Sequence, residues 1–171
     1  MAIEINLEKY GHRKKGFLGF SWTSFFFNFL VPIIRGDFKW TLIFIFPYIF
    51  IYFGNFLNLD FDNEFIIIIF AIPIFITKFI LPFIYNSSYT KDLLRRGYLP
   101  PEDDDYSNAI LKGKKLLEYT NEDLLDKEKM ERYRIIIEEY EKERQKDRNS
   151  ILMFFALLAL LIAFFLFITS Y

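Results

Sequence analysis

No cysteine occurs in this chain, and histidine occurs once, as His12. The first absence excludes disulfides, thiol chemistry and Cys-ligated zinc, and the second leaves no basis for a His-built metal site. An excess of charge is missing too. Lys and Arg number 21 against 22 Asp and Glu, for a net charge of −1, which argues against a nucleic-acid binder working through bulk electrostatics. Gly-rich phosphate loops, GxSxG, HExxH and paired catalytic carboxylates do not occur either. Without a nucleophile–base pair or a metal cluster, the sequence points away from an enzyme, and no cofactor is expected.

Apolar and aromatic side chains are what the chain has in excess. It is 53% hydrophobic and 21% aromatic, with 23 Phe in 171 residues. They gather into blocks long enough to meet lipid. The opening stretch, MAIEINLEKYGHRKKGF, mixes acids with bases and lacks a small-residue cleavage site, so no removable signal peptide is expected.

Three blocks read as transmembrane helices. Residues 40–57, WTLIFIFPYIFIYFGNFL, carry no charge and reach about 27 Å, just enough for the hydrocarbon core. Residues 65–85, FIIIIFAIPIFITKFILPFIY, carry one charge, Lys78. Roughly fifteen Phe, Ile and Leu at about −0.5 kcal/mol each outweigh a lysine costing about 3 at mid-membrane. Residues 151–169, ILMFFALLALLIAFFLFIT, have neither charge nor proline. Pro47, Pro73 and Pro82 are expected to kink the first two helices. Trp40, Tyr52, Tyr85 and Tyr171 fall near helix ends, where amphipathic rings prefer the interface.

Charge in the loops sets the threading. The turn 58–64, NLDFDNE, has three acids and no base and reads as translocated; it lacks the glycine and further ligands of a calcium loop. Lys91, Arg95 and Arg96 follow the second block, and Lys142, Arg144, Lys146 and Arg148 precede the third. Residues 1–16 and 86–150 are therefore expected to be cytoplasmic.

Residues 17–35 leave two readings open. Eighteen mostly apolar residues, Phe17 to Ile34, lie between the bases Arg13, Lys14 and Lys15 and the bases Arg35 and Lys39. A spanning helix would carry the first group across the bilayer. A re-entrant or in-plane amphipathic helix keeps both groups on one side, as the positive-inside rule prefers. Ser21, Ser24, Asn28 and Arg35 recur at helical spacing as a narrow polar stripe, with Thr23 off it.

The segment 86–150 holds 14 bases and 16 acids. It gives no reason to expect nucleic acid or strong anionic-lipid capture. A helix is expected to leave the second block and stop at Gly97, and a short one to lie over 109–119. A third is expected to start at the Thr120/Asp123 cap and run into the last block without a break. Asp123–Lys127, Glu128–Arg132 and Glu138–Lys142 have ion-pair spacing. Met130, Tyr133, Ile137 and Tyr140 form an apolar seam, suited either to the body of this protein or to a partner. Lys78, with no carboxylate in the spans to pair with, is read as snorkelling rather than as part of an ion path.

Two motifs carry a likeness. GFSWTSFFFNFLVPIIRGDFKW, residues 19–40, followed by NSSYTKDLLRRGYLP, residues 86–100, resembles bacterial membrane proteins of domain-of-unknown-function family 2628, some called HrgC-like. The matching positions are Gly19, Phe20, Ser21, Trp22, Phe25, Phe26, Phe27, Arg35 and Trp40, then Asn86, Tyr89, Leu94, Gly97 and Tyr98. Glycine is usual in that family where this chain has Asn28. The resemblance implies a small bacterial inner-membrane protein, and assigns these residues no reaction, ligand or partner.

The expected fold is an all-α integral membrane protein. It comprises an N-terminal amphipathic or re-entrant helix, a proline-kinked hairpin over 38–85, a cytoplasmic helical segment over 86–150 and a C-terminal transmembrane helix over 151–171. The expected role is a non-enzymatic interaction module in the lipid bilayer, with a second copy or a cytoplasmic protein as partner. The alternative is a subunit of an oligomeric transporter or channel.

Overall fold

The computed structural model describes residues 2–61 and 63–169. Asp62 of the acidic turn and Tyr171, assigned above to an interface, lie outside the described residues. The chain forms two compact units, Met1–Pro101 and Glu102–Tyr171.

The first unit begins with strands, which corrects the all-α expectation. β1 (Ile3–Lys9) and β2 (His12–Leu18) pair antiparallel, with Ile3 opposite Leu18 and Lys9 opposite His12. Tyr10 and Gly11 join them, both at positive φ (51° and 78°). Those angles match the right-handed twist of the strands, as in a two-residue I′ hairpin turn. Alternation in IEINLEK buries Ile5 and Leu7, leaving the acids on either side of them to pair outward: Glu8 with Arg13 at 3.1 Å, and Glu4 with Lys15.

The segment after β2 holds two short helices, α1 (Trp22–Phe27) and α2 (Leu30–Ile34). Ser21 caps α1 by accepting from the amide of Ser24 at 3.2 Å. Asn28 ends it at φ 50°, ψ −122°, a region that L-residues rarely enter. Residues 17 and 18 belong to β2.

α3 (Phe38–Phe56) is capped by Asp37. α4 (Glu64–Phe75) passes through a π turn at Ile76–Ile80 into α5 (Leu81–Arg95). The π turn follows Pro73, which cannot donate within the helix, and Thr77 donates its hydroxyl back to the carbonyls of Pro73 and Ile74 at 2.6 and 3.0 Å. Gly54 lets α3 and α4 approach, since a Cβ there would meet the Phe70 ring at 2.5 Å. Gly97 (φ 84°) ends α5: Tyr98 N–H donates to the Leu93 carbonyl at 3.1 Å and Gly97 N–H to that of Leu94 at 2.9 Å. This is a Schellman cap, as the sequence leads one to expect.

The second unit packs α6 (Asp105–Gly113) and α7 (Asn121–Leu125) on the first half of α8 (Lys127–Thr169). Thr120 and Asp123 form their capping box, but α7 stops at Asp126, which corrects the unbroken helix expected from Thr120 onward. Asp126 accepts from Lys129 N–H at 2.9 Å and so starts α8. Tyr133 and Tyr140 of the apolar seam are buried, and Ile137 lies close against Gly113, so this chain's own α6 covers much of the seam. None of the three i,i+4 ion pairs forms among the described residues. Arg132 pairs with Asp105 at 2.8 Å instead, and Asp123 pairs with Lys112 and Lys129.

Three helices are long and apolar enough to cross a membrane: Phe38–Phe56, the continuous Glu64–Arg95, and Lys127–Ile168. In the last, no residue of the most apolar window is buried.

Candidate functional site

The two motifs singled out in the sequence meet on one face of α5. Asn86 and Thr90, four residues apart, are both fully buried there and so share that face. Thr90 Oγ1 donates to the Phe17 carbonyl at 2.7 Å and accepts from the Phe17 amide at 2.6 Å. Asn86 Nδ2 donates to the Gly19 carbonyl at 3.2 Å, and Asn86 Oδ1 accepts from Arg35 Nη1 at 2.9 Å. Both ends of residues 17–35 are thereby tied to the same short stretch of α5. A straight helix of eighteen residues would separate its ends by about 27 Å. The segment therefore runs down beside α5 and comes back.

The polar stripe faces the body of this unit. Ser21 and Ser24 bond to one another at 2.8 Å, and Ser21 N–H donates to the Pro82 carbonyl at 2.9 Å. Asn28 donates to the Tyr48 hydroxyl at 2.8 Å, well along α3. Phe20 packs edge-on against Phe83 and Trp22, with centroids at 4.6 and 4.8 Å, and Phe25 meets Phe79 at 5.9 Å. Phe26 and Phe27 are exposed instead, although Phe26 still stacks on Trp22.

Arg35 is the charged centre of this clasp. Its guanidinium carbon lies 4.0 Å from the Phe17 centroid, 5.2 Å from that of Tyr85 and 5.3 Å from that of Tyr89. Three aromatic faces around a half-buried cation lower the cost of taking it from water. Beside it, Gly36 (φ 67°) turns the chain and Asp37 accepts from Trp40 N–H at 3.3 Å. The RGD triplet thus serves as clasp, turn and helix cap. Trp40 and Tyr85, expected at an interface, are buried against one another at 5.4 Å because the clasp covers them; Tyr52 is exposed.

Gly97 and Tyr98 lie apart from this centre, at the end of α5. There Lys9 donates to the Arg96 carbonyl, and Lys9 and Lys14 sit over the Tyr98 ring at 6.0 and 5.4 Å. Lys78, in the π turn, rests 5.4 Å from the Phe25 centroid. Sequence reasoning passed over Thr90, read Asp37 only as part of a chance RGD triplet, and placed Tyr85 at an interface rather than in the core. Their signal was the i,i+4 spacing of Asn86 with Thr90 and of Tyr85 with Tyr89, where polar and aromatic side chains recur on one face of a membrane-length helix. Among the described residues no group of His, Asp and Glu could hold a metal ion.

No known protein family, curated protein or solved structure matches this chain.

Proposed function

We propose that the chain is a non-enzymatic, bilayer-embedded module of a bacterial inner membrane that offers residues 86–150 to a cytoplasmic protein or to a second copy of itself. The observation that carries this reading is α8, which bears a compact charged head at its first half and continues into an apolar half whose most apolar window holds no buried residue among those described. In water such a surface would be a severe aggregation liability, whereas lipid satisfies it. α3 and the continuous α4–α5 helix supply two further spans. Residues 17–35 form a re-entrant hairpin, a reading supported by their return to Asn86 and by basic residues at both ends. The transporter alternative is less favoured, because Lys78 rests on Phe25, an arrangement suited to anchoring.

Removing residues 102–148 tests the interaction role. In vivo crosslinking followed by pull-down should lose its specific adducts while the truncated chain stays in the membrane fraction. Retention of every adduct would assign the contact to the membrane-embedded unit.

A further inference from the structure

A narrow recess opens beside the clasp, lined by Lys14, Arg35, Asp37, Tyr89, Asp92 and Arg96 among others. It has room for the centre of about one water-sized group, roughly 10 Å³, so a ligand would seat a single oxygen in it rather than enter whole. Three cations face it from three elements: β2, the turn before α3, and the end of α5. None of the three makes an ion pair among the described residues. Arg35 spends one of its N–H groups on Asn86, and a guanidinium carries five. Of the two carboxylates in the lining, Asp92 is engaged by Arg95 at 3.5 Å and Asp37 caps α3 through Oδ1. The lining thus holds three cations against two carboxylates, a net charge of +1, with Asp37 Oδ2 buried and without a hydrogen bond. Immediately next to Arg35 and Asp37 in the chain, Ile34 and Phe38 are 84% and 79% exposed. A cationic recess adjoining bare apolar side chains has the polarity of an amphiphile with an acidic head.

We propose that this recess binds the phosphate of an anionic phospholipid, with Lys14, Arg35 and Arg96 around its oxygens and the acyl chains along Ile34 and Phe38. The site rests on the membrane reading above, which places Arg35 at the level of the headgroups. Only Arg96 of its cations comes from the charge-balanced segment 86–150; Lys14 and Arg35 come from distant parts of the chain. Juxtamembrane Lys and Arg each contribute about 1 kcal/mol toward acidic lipid, or about fivefold in affinity.

The test is native mass spectrometry of the full chain in neutral detergent, titrated in turn with phosphatidylglycerol, phosphatidylethanolamine and phosphatidylcholine. Phosphatidylglycerol should be retained at least tenfold better than phosphatidylcholine. The double variant Lys14→Gln/Arg96→Gln, whose side chains lie outside the clasp, should lose most of that preference with its thermal midpoint unchanged. Equal retention of the three lipids, or an unaltered preference in the double variant, overturns the site. Displacement of the lipid by 10 mM inorganic phosphate would reassign the recess to a free anion. A chain that fails to fractionate with membranes defeats the membrane reading itself, which is a separate outcome.

Discussion

A buried amide, that of Asn86, joins three parts of the chain that are far apart in sequence. It donates to the Gly19 carbonyl, accepts from Arg35 and sits one turn before Thr90, which holds Phe17. Asn86→Leu keeps the apolar bulk but leaves a buried carbonyl and a guanidinium without their partner. Each orphaned group costs about 1–3 kcal/mol, more where charge is involved. The thermal midpoint of the purified chain in detergent should therefore fall by several degrees, and residues 17–35 should become open to limited proteolysis. An unchanged midpoint and digestion pattern would show that aromatic packing alone closes the hairpin. Arg35 shares this contact: its three aromatic neighbours attract the cation through their faces, while Asn86 Oδ1 accepts from its Nη1 at 2.9 Å.

At the scale of elements, α7 acts as a strap held by one carboxylate. Asp123 is almost fully buried; its Oδ1 lies 2.8 Å from Lys129 Nζ, and its Oδ2 accepts from Lys112 and, at 2.9 Å, from the Thr120 amide. Burial pushes the Asp123 carboxyl up, but hydrogen bonds from Lys112, Lys129 and Thr120 more than reverse this and hold it well below the usual carboxylate range. A carboxyl with a depressed folded-state pKa contributes stability that is complete above its unfolded value, near pH 4, and is lost as pH falls through the folded value. Asp123→Asn leaves Lys112 buried without a counter-charge, at a cost of about 3–5 kcal/mol near neutrality. Hydrogen exchange of the Asn121–Leu125 amides should be much faster in the variant at pH 7, and the difference should shrink progressively below about pH 4. A difference that persists undiminished at pH 2 would mean that packing, not the ion cluster, fastens α7.

For the whole molecule, the decisive quantity is which side of the bilayer each segment meets. The absence of native cysteine makes this measurable one position at a time. Single cysteines at Ile5, Leu59 and Tyr106, probed in intact cells with an impermeant thiol reagent, should react only at position 59. Ile5 is buried in the hairpin, so a cysteine at Tyr10, 92% exposed at its turn, is probed beside it in intact cells. Labelling at position 5, 10 or 106 in intact cells would reverse the threading. The expectation follows from the cost of moving Arg13, Lys14 and Lys15 across a membrane; Gly19 and Arg35 both bond to Asn86.

Much of this was legible in the residues themselves. Continuous apolar runs mark the three membrane-length helices, because a helix needs about twenty such residues to satisfy its backbone across hydrocarbon. Gly97 marks the end of α5 and Thr120/Asp123 the start of α7, since caps act within a few residues. The β1–β2 hairpin was also present locally, in the alternation of IEINLEK and the Tyr10-Gly11 turn, but basic residues flanking a hydrophobic block drew the reading toward helix and topology. What tertiary structure alone decided is the inward turn of Ser21, Ser24, Asn28 and Arg35, the burial of Trp40 and Tyr85, and the exchange of Asp123 from Lys127 to Lys112 and Lys129. Each depends on contacts between residues far apart in the chain, and such contacts are chosen by which buried polar groups find partners, a condition no local pattern can express.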